Sequence, residues 1–429
     1  MSRCHLSVVL TTFLMLQLSL FLGRGTADAV IYDWRLTPVM TAFDGVLLET
    51  LGVNDKPCDE AIIEVKLGQE VEVRVTNELY NSTCLHWHGM KQLGTQEMDG
   101  VSGFTQCFIE PNTTALTDIY HTAPTFGPAL WDTIAINNRG RFNCTAAAIN
   151  NLTVCSTDQP LTTYNFQAGK KYLLRLMSLA AMAPFDFSID DHEFQVIAAD
   201  GEAVQPTGLI NSIFINAGQR YDIIIEAKND TQDSYWMRAK GLTGLPWIAR
   251  SSDTGLPGFN DEGLANVRYN TASTSDPTTK QCEEIVTVNE FDFTPVLPAV
   301  LPTTPSDRSI VQFNITALGG VISLDGGEYY SLEIPDQPPL LTISNGSSTT
   351  DLPASANARA LEYGKHIEVV VVNSMNEQHP FHLHSHVPWV VGSGQASAED
   401  IYNNNLPPSK LEGMCTLCHL VEQMQMAPV

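Results

Sequence analysis

Apolar and polar positions alternate along residues 61–77. Ile63, Val65 and Leu67 interleave with Glu64 and Lys66, and Val71, Val73 and Val75 with Glu72 and Arg74. A period of two is the pattern of a half-buried strand, so two strands are expected here, separated by a turn at Gly68. The second half of this phrase returns far downstream. Gly68-x-x-Val71-Glu72-Val73-x-Val75-x-Asn77 is echoed by Gly364-x-x-Ile367-Glu368-Val369-x-Val371-x-Asn373. A weaker copy places Gly169, Tyr172, Leu174, Leu176 and Ser178 at the same offsets. Three copies of one strand phrase predict three related β-domains.

The middle copy has the fullest set of strand runs around it: residues 173–177, 187–189, 194–198, 213–215 and 221–225. No stretch carries the period of an amphipathic helix. Residues 294–309, rich in Pro, Thr and Ser, read as a linker.

Composition narrows the setting. A chain of 429 residues with 43% hydrophobic content can bury two to four cores. The net charge of −25 argues against nucleic acid and anionic membrane as partners, and permits attraction of metal cations. Arg3, the apolar run 8–22 and the small residues from Gly25 to Ala29 have the order of a secretory signal, residues 1–29. The apolar run is shorter than the ~20 residues a membrane span needs. Seven Asn-x-Ser/Thr sequons (Asn81, Asn112, Asn143, Asn151, Asn229, Asn314 and Asn345) agree with a secreted glycoprotein. So does cysteine usage: beyond Cys4 there are eight, an even number that suits disulfides in an oxidising compartment. Cys144 and Cys155 are near enough in sequence to pair, and the other connectivities stay open.

The candidate chemistry lies just after the first and third copies. His86-Trp87-His88-Gly89 follows the first, and His379-Pro380-Phe381-His382-Leu383-His384 the third. Extended backbone places His86 and His88 on one face, and His382 and His384 on another. If the two faces met, four imidazoles could surround a metal. Imidazole suits copper, zinc, iron and nickel alike, and four of them could also supply a tetrahedral zinc site.

These two motifs resemble those of the multicopper oxidases (laccases, ascorbate oxidases and fungal ferroxidases). Residues 132–144 also look like the opening of the second domain in ascorbate oxidases. The resemblance implies an all-β fold of three consecutive cupredoxin-like Greek-key β-sandwich domains, with the metal cluster between the first and third. On that basis the domains are expected at 30–121, 122–275 and 311–429, with 276–310 as linker and the first and third domains shortened. The cofactor implied is copper, and the partners are a small-molecule reductant and dioxygen. Carried over residue by residue, His379 is a type 1 ligand, His86 and His382 hold the type 2 copper, and His88 and His384 are type 3 ligands. His386 ends the motif outside the ligand set. His121, His192 and His366 fall outside the motifs and are expected to be structural. In iron-oxidising relatives an acidic residue near the position of Asp190 guides ferrous iron, which flags Asp190.

Two parts of the family pattern are not intact. The second His-x-His, in a Trp-Tyr-His-Ser-His setting, is absent where Ala115-Leu116-Thr117 runs directly into Asp118-Ile119-Tyr120-His121. The family's late His-Cys-His is represented only by Cys415-Thr416-Leu417-Cys418-His419 and a following Met424. Two alignments stay open. In one, Cys418-His419 is the Cys-His pair. In the other, His419 and Met424 are the later type 1 ligands and Cys415 stands one residue out of register. Three readings follow: a working oxidase of phenols, ascorbate-like enediols or ferrous iron; a secreted copper-binding protein without catalysis; or an incomplete form of a full oxidase.

Overall fold

The computed structural model describes residues 29–111, 133–147, 154–180, 183–229, 232–242, 260–297, 305–316, 319–331, 337–373, 380–393, 396–403 and 417–423. The expected signal peptide lies outside them except for Ala29. No helix among the described residues is long and apolar enough to cross a membrane.

The first strands are β1 (Val30–Thr41), β2 (Leu48–Val53), β3 (Lys56–Pro57) and β4 (Val71–Asn77), in one sheet of order β3-β2-β1-β4. Then come β5 (Thr163–Asn165), β6 (Lys171–Met177), β7 (Phe185–Ile189), β8 (Phe194–Ala199), β9 (Glu202–Ala203), β10 (Ser212–Ile215), β11 (Arg220–Glu226), β12 (Ser234–Gly241) and β13 (Glu262–Arg268). They form two sheets, β10-β7-β12-β13-β5 and β6-β11-β8-β9. The last set is β14 (Asp307–Thr316), β15 (Gly319–Leu324), β16 (Tyr330–Ser331), β17 (His366–Asn373), β18 (Trp389–Ser393) and β19 (Leu417–Gln423), ordered β16-β15-β14-β17-β19-β18. Helices among the described residues are short: α1 (Cys144–Ala147), α2 (Pro339–Ser344) and α3 (Ala398–Tyr402). The fold is all-β, as the alternation predicts.

The repeated phrase has the same structure each time. Gly68, Gly169 and Gly364 all turn with positive φ (87°, 69° and 74°), a conformation that suits glycine. Each is followed by a strand: β4, β6 or β17. The outer two copies even keep the same pairing. β1 lies parallel to β4 with Val30 opposite Val71 and Leu36 opposite Asn77, and β14 lies parallel to β17 with Asp307 opposite Ile367 and Phe313 opposite Asn373. The closing residues Asn77, Ser178 and Asn373 are all buried.

Two expectations change. Residues 61–66 belong to no strand, and Leu67 is fully exposed. Here the chain is tied through one hydroxyl: Tyr32 donates to the Glu64 carbonyl (3.1 Å) and accepts from the Glu64 amide (3.0 Å). Alternation marks a face, but a strand also needs a ladder partner. The stretch 294–309 is likewise not a uniform linker. Thr294 and Val296 pair with Gln205 and Ala203, and the end of the stretch enters β14 at Asp307.

The buried core sits between the two sheets of the middle region. Ile189, Phe194, Val196, Ile213, Ile223, Ile225, Tyr235, Ala265 and Val267 are at most 2% exposed. Cys144 and Cys155 form a disulfide beside the smaller cluster of Val46 and Phe142.

Candidate metal centre

Both histidine pairs sit on loops, not within strands, although the preceding strand phrase leads into each of them. Alternation still holds locally. Trp87, between the two histidines, packs on Trp34 of β1 (ring centroids 6.3 Å), while His86 and His88 face the centre. Phe381 packs on Phe313 of β14 (6.1 Å), pinning the second loop in the same way. Each loop then turns sharply. The Met90 amide donates to the Trp87 carbonyl (3.1 Å), and the His386 amide to that of Leu383 (3.3 Å). Gly89 takes φ of 82°, and Ser385 at the matching place takes φ of 65°. A non-glycine residue there stores roughly 1 kcal/mol or more of backbone strain, and such strain concentrates at functional sites.

The two pairs meet. The ring centroids lie 4.3 Å apart for His86 and His384, 4.0 Å for His88 and His382, and 5.9 Å for His86 and His382. Within each pair the separations are 5.7 Å and 4.7 Å. Ring nitrogens of His86, His382 and His384 all lie within 4.8 Å of one another.

Asp99, which sequence reasoning missed, orients two of the rings. Its carbonyl accepts from His86 Nδ1 (2.8 Å), and its carboxylate oxygen Oδ2 accepts from His384 Nδ1 (2.9 Å). With the proton on Nδ1, each Nε2 is left as a lone-pair donor. His86 Nε2 is buried and has no hydrogen-bond partner among the described residues. A buried polar atom without a partner is rare, and a histidine whose other nitrogen binds a carboxylate or carbonyl is the usual metal-ligand arrangement. The donor set therefore fits a metal ion. The Asp99 side chain is only 2% exposed, and Gly100 explains how it gets there. A Cβ on Gly100 would lie 1.6 Å from the Leu85 carbonyl oxygen, so only glycine allows this loop to lie against the His86 backbone. The sole sequence signal was an Asp-Gly turn dipeptide, which says nothing about a histidine thirteen residues earlier.

Electrostatics favour neutral imidazoles. Burial chiefly, with the neighbouring rings and Arg220 adding to it, lowers His88 and pushes His382 down to about 4. Neutral imidazole is the form that binds metal. A cavity of about 770 Å³ opens beside His384 and Asp99, lined by Val101, Phe104, Leu340, Ile343 and Trp389.

The remaining expected ligands are placed less fully. His379, Cys415 and Met424 lie outside the described residues. Cys418 and His419 lie in β19, opposite Val371 and Val370 of β17. His192 is structural, as expected: its ring bonds the Asp190 carbonyl (2.7 Å) and the Tyr269 hydroxyl (2.7 Å). Asp190 is no surface guide for iron. Its side chain has no exposure, and its oxygens are taken by Arg238 (2.8 and 2.9 Å) and Thr279 (2.7 Å).

Comparison with known proteins gives the family. Sequence models of the multicopper oxidase family match residues 37–124, 110–255 and 333–411. The chain is 30% identical to Laccase-5 of Trametes villosa over 414 residues, 78% of this chain and 73% of the relative. It is 32% identical to Laccase-1 of Botryotinia fuckeliana over 419 residues, 86% of this chain and 72% of the relative. In fold it resembles the laccase of Botrytis aclada, with a TM-score of 0.74 at 23% identity over 93% of this chain and 84% of that one. The multicopper oxidase Fet3p, which functions in iron import, follows at 0.68 and 19%, over 92% of this chain and 85% of that one. The three regions of sheet are cupredoxin-like domains, and the chain belongs to the multicopper oxidase family, the copper oxidoreductases.

Proposed function

We propose that this chain is a secreted copper oxidoreductase that takes single electrons from a small reductant and delivers them to dioxygen. Its copper ligands in the described residues are His86, His88, His382 and His384. The observation that carries this reading is the meeting of the four imidazoles, with His86 Nε2 left buried and unpartnered. Copper bound there would supply one-electron redox chemistry. The chain's own residues hold the rings in place: Asp99 keeps the protons of His86 and His384 on Nδ1, so that both present Nε2. The family's small reductants are phenols, ascorbate-like enediols and ferrous iron. Burial of Asp190 against Arg238 leaves ferrous iron without that carboxylate as a guide and favours an organic reductant.

One observation favours a second reading, a copper-binding protein without turnover or an incomplete form of a full oxidase. The sequence has no second His-x-His between Cys107 and His121, and no intact His-Cys-His near its end. Without these, the short thiolate path for electrons and the paired type 3 site lack residues.

Copper per molecule, the visible spectrum and dioxygen uptake with a phenol decide between the two. A full set of coppers with an intense blue thiolate band and steady uptake supports the oxidase. One copper, no blue colour and no uptake supports the second reading. No copper at all overturns both.

A further inference from the structure

The middle domain supplies none of the four histidines, yet it touches the loop that carries two of them. A Cβ built on Gly89 would lie 2.5 Å from Nη2 of Arg220, and one built on Gly218 would lie 3.3 Å from Cε1 of His88. Both glycines have positive φ, 82° and 78°. The absence of two side chains, one on each domain, is what lets the guanidinium lie against Gly89 and the imidazole against Gly218. Arg220 is itself fixed. Its Nη1 donates to the Gly218 carbonyl (3.1 Å) and pairs with Asp200 (2.9 Å), while its Nη2 donates to the Asp200 carbonyl (3.0 Å). Its own amide donates to the Asp200 carboxylate (2.9 Å). A guanidinium tied down at this many points is a rigid wall, unlike the flexible head of a lysine. Lys91, two residues beyond Gly89, pairs with Glu202 of the same domain (3.2 Å) and makes a second tie.

We infer that Arg220 is a positioning residue for His88: the Gly218–Arg220 turn of the middle domain seats the His86–Gly89 loop and holds the His88 ring in its stack on His382. The inference rests on copper binding at the four histidines. The stack is close, with centroids 4.0 Å apart and planes 16° from parallel. The Gly218 turn lies along one side of this ring, where a Cβ would stand 3.3 Å from Cε1. The middle domain thus acts as a jig for a metal site made wholly of residues from its neighbours.

The test uses the full chain with Arg220→Ala, Arg220→Lys and Arg175→Ala. Arg175 makes a similar but exposed ion pair with Asp222 on the adjacent strands, 3.7 Å, and serves as the control for loss of a surface charge. Cupric ion is titrated into each copper-free protein, and the electron paramagnetic resonance spectrum of the product is recorded. Loss of an outer partner of a metal ligand typically weakens binding about 10- to 100-fold. The expected result is at least a tenfold loss of copper affinity and a changed copper hyperfine pattern in Arg220→Ala. Arg220→Lys is expected to show the changed pattern too, with Arg175→Ala as the parent. Wild-type affinity and spectrum in both Arg220 variants would overturn the inference while leaving the copper reading intact. Failure of the parent chain to bind copper would overturn the copper reading first, and this inference with it. Should Arg220→Ala not fold, the ring Cε1–H resonance of His88 in copper-free Arg220→Lys carries the decision: a shift relative to the parent and to Arg175→Ala supports positioning, and an unmoved resonance overturns it.

Discussion

The middle domain and its neighbours use the same strand phrase to different ends. Around β6 there are two sheets, and the space between them is filled by Phe194, Val196, Ile223, Ile225, Tyr235 and Val267, all at most 2% exposed. Among the described residues, the buried cluster around β17 is Ile310, Val370 and Ile401, and that beside the first sheet is Val46 and Phe142. Yet among the described residues the cluster of histidines lies in the regions with the smaller buried clusters. Their loops after β4 and before β18 face each other and bring in the four histidines. Among the described residues the densest burial and the histidine cluster thus lie in different parts of the chain, and Arg220 is the point where, on our inference, the first supports the second.

The largest effect that would sharpen this contrast is in the middle domain. Arg238→Ala leaves the Asp190 carboxylate buried without its main partner, and breaking such a pair costs about 3–5 kcal/mol. Urea unfolding should show a loss of that size; a loss below about 1 kcal/mol would mean that this network does not anchor the domain. Ile223→Ala, at a fully buried site, should cost about 2–5 kcal/mol by the same measurement. Copper affinity per folded molecule should barely change.

The converse belongs to the outer regions. Asp99→Ala should weaken copper binding about 10- to 100-fold while the middle-domain unfolding transition stays where it was. A shared loss of both would break the separation. Amide exchange gives a direct map: β8, β11 and β12 should exchange only with global unfolding, and β4 earlier, because local opening follows sparse burial. Equal protection in the two would count against the contrast.

The smallest effect is with pH. His382 in the folded copper-free chain has its value pushed from 6.5 to about 4, so between those values the unfolded chain takes up a proton that the folded chain refuses. Stability therefore falls as pH drops through that window and is fully present above it. His192, lowered chiefly by burial, acts in the same direction. His382→Ala should flatten part of the slope between pH 7 and pH 4.5 in a urea series, leaving the part due to His192. An unchanged slope would show that His382 does not contribute.

The sequence by itself determined the all-β class, the three copies of the strand phrase, five of the nine described strands of the middle domain (β6, β7, β8, β10 and β11) and the two histidine pairs. These are local matters: alternation, a glycine before a strand, and the two-residue spacing of the paired histidines. It also raised the Cys144–Cys155 pairing as an option, which the fold realises. It overstated residues 61–66 as a strand, since a ladder partner is not encoded in the stretch itself. Only the tertiary structure brought His86 within 4.3 Å of His384, because those loops belong to separate domains. Only it put Asp99 between them, through a glycine whose role depends on the carbonyl of Leu85 passing 1.6 Å from where a Cβ would stand. Only it buried Asp190 and set Arg220 against Gly89. Each of these depends on a contact between residues far apart in the chain, and no local pattern records which distant backbone will come to rest there.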